Sequence, residues 1–384
     1  MKRLLVHALR TLLGGLGLLA GRFAPALQSR LVLVFATPNL GGAERVHAQL
    51  AEAVRAARPE IWFTEPGKDE VLLPEYARHG CVRKYGAIAR RRAGAYFLAG
   101  YLAARVNRQP DTVVVGAFSY LFYDMLPWLR SDVRCVDLLH NFGVRFEHYS
   151  LRHVPRLETR VLISESLRAD LATLYDAFGL SAALAGRLRV IATGVSVPER
   201  QPVKASDGPL RVLYVGRNSP EKRVHLVGRI ASRLAAAGTP SQFTLVGDVK
   251  AALAPEDLPS CTLAGVVTRP EELAGLYNEA DIVLITSERE GFPLAVMEGM
   301  ARGAVPVCTA VGALTSLPVG EVCVLVEPED EAAVVARMVD VLTRLARSRL
   351  TLNAMGAAAF RYAGEHFSLG RFGEQWRNLL GVGP

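Results

Sequence analysis

From Arg30 onward the chain repeats one pattern: a short unbroken apolar run, a turn, then a stretch with helical spacing. The runs Leu31 to Ala36, Thr112 to Gly116, Arg134 to Leu139, Val161 to Ser164 and Arg189 to Ala192 occupy the first half. Leu210 to Val215, Phe243 to Val246, Thr262 to Leu263, Ile282 to Ile285, Val305 to Cys308 and Val322 to Val326 occupy the second. An apolar run without polar alternation is buried on both faces, and runs separated by helix-length crossovers pair in parallel. The pattern therefore predicts α/β architecture with parallel sheets covered on both sides. A chain of 384 residues is long for one core and suits two domains of about 150 residues each. Between the two series lies a proline-rich, weakly apolar stretch with Pro198, Pro202 and Pro209, which reads as a linker. The organisation predicted is a helical segment over 1–29, a first domain over 30–197, a linker over 198–209, a second domain over 210–364, and a C-terminal helix over 365–384 that packs back on the first domain.

Charge divides the halves. Residues 1–200 carry 27 Lys+Arg against 17 Asp+Glu, a net of +10, whereas residues 201–384 carry 18 against 20, a net of −2. Only six of the 45 basic residues are lysine, so arginine content by itself says little. The five cysteines, Cys81, Cys135, Cys261, Cys308 and Cys323, are widely spaced with no C-x-x-C pair. They read as buried thiols of a reducing compartment and not as zinc ligands or a disulfide framework.

The first 29 residues admit three readings. Lys2, Arg3 and Arg10 before an apolar stretch from Leu12 to Ala20, then Ala24-Pro25-Ala26, outline a signal peptide. Arg3, His7, Arg10, Gly14, Gly17 and Gly21 recur at spacings of four and three, giving one polar or small stripe on an otherwise leucine-rich helix. Such a helix either lies in a membrane interface or packs on its own protein. The apolar run is short for a bilayer span. A loose G-x-G-x-x-A at residues 15–20 has no preceding strand and no acidic residue at the right distance, so it is not a dinucleotide site.

Three turns between strand and helix carry chemistry, because a helix N-terminus offers unpaired N–H groups and partial positive charge to a phosphate. Gly41-Gly42 precedes a helix from Ala43 to about Ala57 and would admit a ligand close to the backbone; a plain tight turn uses the same residues. After the strand Arg211 to Val215 comes Gly216-Arg217-Asn218-Ser219-Pro220-Glu221-Lys222. Arg217 and Lys222 are placed to reach an anion at the carboxyl end of that strand, or are two solvated cations. The third turn runs from Ser287 through Glu290-Gly291-Phe292-Pro293-Leu294 to Glu298. Pro293 suits a first helical turn, leaving Glu290 on the loop and Glu298 inside the helix. Eight helical steps would separate the two carboxylates by about 12 Å along the axis, beyond the ~5 to 9.5 Å of glycosidase pairs. They suit two parts of one extended ligand.

Glu290 and Glu298 with seven residues between them, inside E-G-F-P-L-A-V-M-E-G-M-A and followed by Gly303, Val305 and Pro306, resemble the signature of family-4 retaining glycosyltransferases. Other pieces fall in the order of that family: Gly-Gly-Ala-Glu-Arg at 41–45, His140 with Asn141 after Leu138-Leu139, Val161 to Glu165, Val190 to Val195, and the turn from Gly216-Arg217 to Lys222. The resemblance covers about residues 31–375. It implies a GT-B fold, two Rossmann-like doubly wound domains facing a cleft, with a nucleotide sugar held mainly by the second domain. It further implies that Arg217 and Lys222 neutralise the departing diphosphate, that Glu298 accepts hydrogen bonds from ribose hydroxyls, and that Glu290 holds hydroxyls of the donor sugar, assisted by backbone N–H groups from Gly291, Phe292 and Leu294 around Pro293. Gly41 and Gly42 would approach the phosphates, and His140 would lie near the donor sugar; a satisfied histidine at a strand end is its other reading. Thr193 stands where the family commonly has asparagine, which bears on that local turn only.

No Asp-x-Asp occurs in the sequence, so metal-independent transfer is expected, with no cofactor beyond the nucleotide-sugar substrate. Retention of configuration is implied by the resemblance alone, and no side chain presents itself as a covalent nucleophile. The basic first half would receive the acceptor. Arg90-Arg91-Arg92 followed by Tyr96, Phe97 and Tyr101 is compatible with lipid headgroups over aromatics, with a solvated face, or with nucleic acid, for which no recognition motif is present. The function expected is a cytoplasmic enzyme, peripheral on the inner face of the membrane, that extends a glycan or lipid-linked acceptor for lipopolysaccharide, capsule or other cell-surface polysaccharide. The alternatives are a nucleotide-sugar epimerase of the same fold and a non-catalytic sugar-nucleotide-binding protein.

Overall fold

The computed structural model of the protein describes residues 2–140, 146–205 and 207–383; Asn141, next to the candidate His140, lies outside them. Two parallel sheets organise the chain. The first contains β1 (Leu31–Phe35), β2 (Glu60–Phe63), β3 (Cys81–Lys84), β4 (Val113–Ala117), β5 (Arg134–Leu139), β6 (Thr159–Leu162) and β7 (Leu188–Val190), in the order β3-β2-β1-β4-β5-β6-β7. The second contains β8 (Leu210–Val215), β9 (Ser241–Val246), β10 (Cys261–Gly265), β11 (Ile282–Ile285), β12 (Val305–Thr309) and β13 (Val324–Val326), in the order β10-β9-β8-β11-β12-β13. Every pairing is parallel. The central strands read as the sequence requires: Leu31–Phe35 is buried at all five positions and Ile282–Ile285 at all four. Burying each such side chain is worth about 1.5 to 3 kcal/mol.

In each sheet the strand order reverses once, between β1 and β4 and between β8 and β11. Ligands of doubly wound sheets bind outside the carboxyl ends of the strands at such a reversal. The candidate turns follow β1, β8 and β11, so the topology places them at these points.

The chain forms two compact units, residues 1–194 with 370–384, and residues 195–369. The first has a core around Val32, Val34, Val114 and Phe122; the second has its own around Val212, Ile230, Leu284 and Met338. The helix Leu369–Leu380 counts with the first unit from Gly370 onward; there Trp376 is fully buried and Arg377 donates to the Ala53 carbonyl at 3.4 Å. The stretch expected to be a linker is tied to the second unit. Val195 bridges to Ser368, and Lys204 Nζ donates to the carbonyls of Tyr277, Asn278 and Ala280 at 2.6 to 3.0 Å.

The N-terminal helix Lys2–Gly21 lies along the helix Arg92–Asn107. Its glycines make the contact. A Cβ on Gly17 would collide with the Phe97 carbonyl, one on Gly21 with the Tyr101 carbonyl, and one on Gly14 with the Trp128 ring, while Gly100 of the partner helix lies against the Gly14 carbonyl. Arg10 adds a charged tie, donating to Asp124 at 2.9 Å, and the chain beyond is fixed by Gln28 N–H to Glu60 at 2.7 Å and Arg105 to the Pro25 carbonyl at 3.1 Å. Of the sequence readings, packing on the protein itself describes the glycine side. Phe97 and Tyr101, expected as aromatics beneath headgroups, are half-buried and stack on one another at 6.1 Å; Arg90, Arg91 and Arg92 are exposed.

Candidate active site

In the second unit, the turns after β8 and β11 are laced together. Arg223, at φ +46°, donates from Nε to the Thr286 carbonyl at 2.8 Å, Thr286 Oγ1 donates to the Lys222 carbonyl at 3.0 Å, and the Glu288 N–H donates to the Glu221 carbonyl at 2.8 Å. This lacing brings two predicted residues into contact. Lys222 Nζ donates to Glu290 Oε1 at 2.7 Å and Oε2 at 2.8 Å, with the Glu290 side chain 7% exposed and that of Lys222 21%. Ser287 Oγ donates to Glu290 Oε1 at 2.6 Å, and the Ser287 carbonyl accepts from Thr309 Oγ1 at 2.5 Å. The carboxylate is thus oriented by a hydroxyl on one side and a cation on the other, a charge-assisted arrangement of the stronger kind.

The loop that follows is held from β12. The Ala313 N–H donates to the Gly291 carbonyl at 3.1 Å, and Gly312, at φ +55°, lies where a Cβ would collide with the Glu290 carbonyl oxygen. Glycine at 312 is required on two grounds, the left-handed backbone and the close approach. Phe292 meets Phe367 edge-on at 5.0 Å. Pro293 is the N-cap of the helix Leu294–Met300, with ψ 125°, one position earlier than the sequence suggests. Glu298 lies on that helix, half-buried. Arg217 stands apart: its side chain is 82% exposed, with Glu221 3.9 Å away. An exposed guanidinium keeps its conformational freedom and suits a group that folds onto an arriving anion.

In the first unit, Gly41 is the extended N-cap of the helix Gly42–Ala53. At φ −165° its backbone suits any residue; the constraint is spatial, since a Cβ there would strike the Glu44 carboxylate. Gly42 is exposed at the first helical position. His140 follows β5 directly and is paired with a residue the sequence reasoning passed over: His47 of the helix Gly42–Ala53, Nε2 to Nε2 at 2.9 Å. His47 stacks on Phe35 at 4.5 Å and 5°, and His140 on Phe118 at 5.2 Å and 10°, with Phe118 at φ +51°. Burial pushes His140 down to about 3 and, with His140 as the second cause, pushes His47 well below the usual imidazole range. Both rings are therefore neutral, and one must donate while the other accepts. Two aromatic clamps and one shared proton fix the orientation of His140.

Ser287, Thr309, Gly312 and His47 were not singled out by sequence. A histidine one turn into the helix that starts at Gly42 was the available signal for His47; Ser287 stands three residues before Glu290 in the same turn, while Thr309 and Gly312 act through partners distant in sequence. Among the described residues no group of three or more His, Cys, Asp or Glu is arranged to hold a metal ion.

Residues 209–344 match the family Glycosyl transferases group 1. Among curated proteins, the D-inositol 3-phosphate glycosyltransferase of Streptosporangium roseum is 27% identical over 366 residues, covering 79% of this chain and 82% of that protein. The GDP-mannose:cellobiosyl-diphosphopolyprenol alpha-mannosyltransferase of Komagataeibacter xylinus is 27% identical over 236 residues, 58% of this chain and 60% of its own. Among solved structures, Anabaena Alr3699/HepE in complex with UDP superposes with a TM-score of 0.71 at 15% identity, over 91% of this chain and 99% of that one. The lipopolysaccharide outer core galactosyltransferase WaaB gives 0.71 at 14%, over 91% and 99%. These likenesses establish the fold: two Rossmann-like doubly wound domains of the GT-B type.

Proposed function

We propose that this GT-B chain, which matches the glycosyl transferases group 1 over residues 209–344, is a retaining, metal-independent glycosyltransferase. It moves a sugar from a nucleotide-sugar donor to a glycan or lipid-linked acceptor in the assembly of cell-surface polysaccharide. The observation that carries the reading is the Lys222–Glu290 pair, braced by Ser287 at the strand-order reversal of the second sheet. Departure of a nucleoside diphosphate builds negative charge on its phosphates, and preorganised cations lower the barrier where that charge grows. Lys222 supplies a held cation and Arg217 a mobile one. Glu290, paired with Lys222 and fixed by Ser287, accepts hydrogen bonds from donor-sugar hydroxyls, and Glu298 takes those of the ribose. His140, neutral and clamped, offers the sugar a hydrogen bond without adding charge. The relatives whose names include a diphosphopolyprenol acceptor and the outer core of lipopolysaccharide support a lipid-linked or glycan acceptor, and such an acceptor would place the enzyme on the inner face of the cytoplasmic membrane.

A panel of nucleotide sugars screened by thermal shift, followed by product analysis, tests this reading. A tight donor at about one hundred times its Kd stabilises the protein by ~2.7 kcal/mol. Slow donor hydrolysis or transfer, unaffected by a chelator and giving the donor's own anomeric configuration, is the expected result. Isomerised donor would identify an epimerase, binding without turnover a sensor, and no binding at all would remove the assignment. Lys222→Ala and Glu298→Ala are expected to lower kcat/KM for the donor by about 10²-fold or more; full activity in both would move the site elsewhere.

A further inference from the structure

The glycine contact turns the opposite side of the N-terminal helix outward. Leu9, Leu12, Leu16, Leu19 and Phe23 recur at spacings of three and four and are 46%, 60%, 49%, 54% and 91% exposed, a continuous apolar stripe on the face away from Gly14, Gly17 and Gly21. Five large apolar side chains in one exposed row mark a contact surface and not scattered exposure. The helix is no loose tail: backbone-close glycines, the Arg10–Asp124 pair and the ties at Pro25 and Gln28 hold it to the domain, so the stripe is presented rigidly.

Charge selects the occupant. No acidic residue occurs before Glu44, while Lys2, Arg3, Arg10, Arg22 and Arg30 do. The contacts of Gly17 with Phe97 and Gly21 with Tyr101 and Ala104 advance together along both helices, so the two run in the same direction. The exposed Arg90, Arg91 and Arg92, which precede the second helix or open it, therefore lie toward the N-terminal end of the first. A second copy packed on this stripe would bring like charges together, whereas leucine-zipper pairing uses opposite charges beside its seam. An anionic bilayer complements both features, apolar stripe and basic flank. Among the described residues no helix is long and apolar enough to cross a membrane, which leaves the geometry of a helix lying in the interface.

We propose that the helix Lys2–Gly21 is a rigidly docked membrane-insertion element: its glycine face belongs to the protein and its leucine face to an anionic lipid surface. This goes beyond the transferase reading and stands without it, since neither the donor nor its residues are involved.

The test is co-sedimentation of the full chain with vesicles of phosphatidylcholine alone or with about one third phosphatidylglycerol. Wild type is expected to pellet with the anionic vesicles, and high salt to weaken the association without abolishing it, because the apolar part is not screened. The variant Leu12→Gln/Leu16→Gln/Leu19→Gln keeps a helix-forming composition and alters only exposed positions, so its Tm and donor-induced thermal shift should match wild type while vesicle partitioning falls at least about tenfold. Arg90→Gln/Arg91→Gln/Arg92→Gln should reduce binding to anionic vesicles selectively. Wild-type protein that ignores anionic vesicles, a triple leucine variant that binds as well as wild type, or a leucine-dependent dimer in place of vesicle binding would each overturn the proposal. Because the donor shift is read separately, a failed transferase assignment and a failed membrane assignment appear in different measurements.

Discussion

Gly312 has the most exacting local position in the candidate site. It combines φ +55° with a carbonyl, that of Glu290, where a Cβ would stand. Left-handed backbone costs a residue with a side chain about 1 to 2 kcal/mol, and relieving the collision would shift the loop bearing Glu290. Gly312→Ala is therefore expected to lower Tm by about 2 to 8 °C and to raise KM for the donor, measured by thermal melts and initial rates; an unchanged KM would show that the loop absorbs the methyl group without moving Glu290. The His47–His140 pair makes a separate claim about pH. Both imidazoles are held neutral, His140 down to about 3, while in the unfolded chain they titrate near the ordinary 6.5. Native pKa values lie below unfolded ones, so the contribution is fully present above pH 6.5 and is lost as pH falls from there toward 3, where the unfolded state takes protons the native state refuses. Melting temperatures between neutral and mildly acid pH should decline with a slope that His47→Phe makes shallower; an identical slope would assign the decline to other groups. The placement of Lys222 and Glu290 on turns after β8 and β11, and of Glu298 on the following helix, was legible because each stands in a strand–turn–helix pattern. Thr309, Gly312 and His47 were not, because what they hold is distant in sequence; Ser287, three residues before Glu290, stood in the same turn with no role given to it.

At the scale of elements, the sequence periods located the central strands within one or two residues, since Val, Leu and Ile runs buried on both faces have few other uses. β2 and β3 escaped that reading. Glu60–Phe63 contains a buried carboxylate, Glu60, neutralised by Arg105 at 3.3 Å and joined to Trp62 Nε1 at 2.9 Å, so its polarity disguises a fully buried strand. Cys81–Lys84 is the sheet edge, half polar and partly exposed. The N-terminal helix shows a different limit: its glycines and leucines are plain in sequence, but whether the protein lies on the glycine side or the leucine side depends on the helix Arg92–Asn107. With that settled, the two faces predict opposite responses. Gly17→Leu forces the helix off the Phe97 carbonyl and should destabilise the fold by about 1 to 3 kcal/mol or more, the range for overpacking. Leu12→Gln, at a 60% exposed position, should stay within about 0.5 kcal/mol. Urea unfolding of both variants decides it, and equal effects would mean that the helix does not use its glycine face.

For the whole molecule, the separation into two units with their own cores gives a measurable division of labour. All three tryptophans, Trp62, Trp128 and Trp376, belong to the first unit, whereas Arg217, Lys222, Glu290 and Glu298 belong to the second. Tryptophan fluorescence therefore follows the first unit alone, while calorimetry registers both. A ligand stabilises the part whose native state binds it, by RT ln(1 + [L]/Kd), and chains with more than one core need not melt in one transition. A nucleoside diphosphate gripped by Lys222 and Arg217 should raise the calorimetric transition of the second unit more than the fluorescence midpoint, and Lys222→Ala should remove the larger shift. Acid should act in the reverse sense, since His47, His140 and His153, the last pushed down by burial to about 4, all lie in the first unit: the fluorescence midpoint should fall first as pH drops. If the nucleotide instead moved the fluorescence midpoint as far as the calorimetric one, its phosphates would be bound chiefly through the helix that starts at Gly42 and not by Lys222.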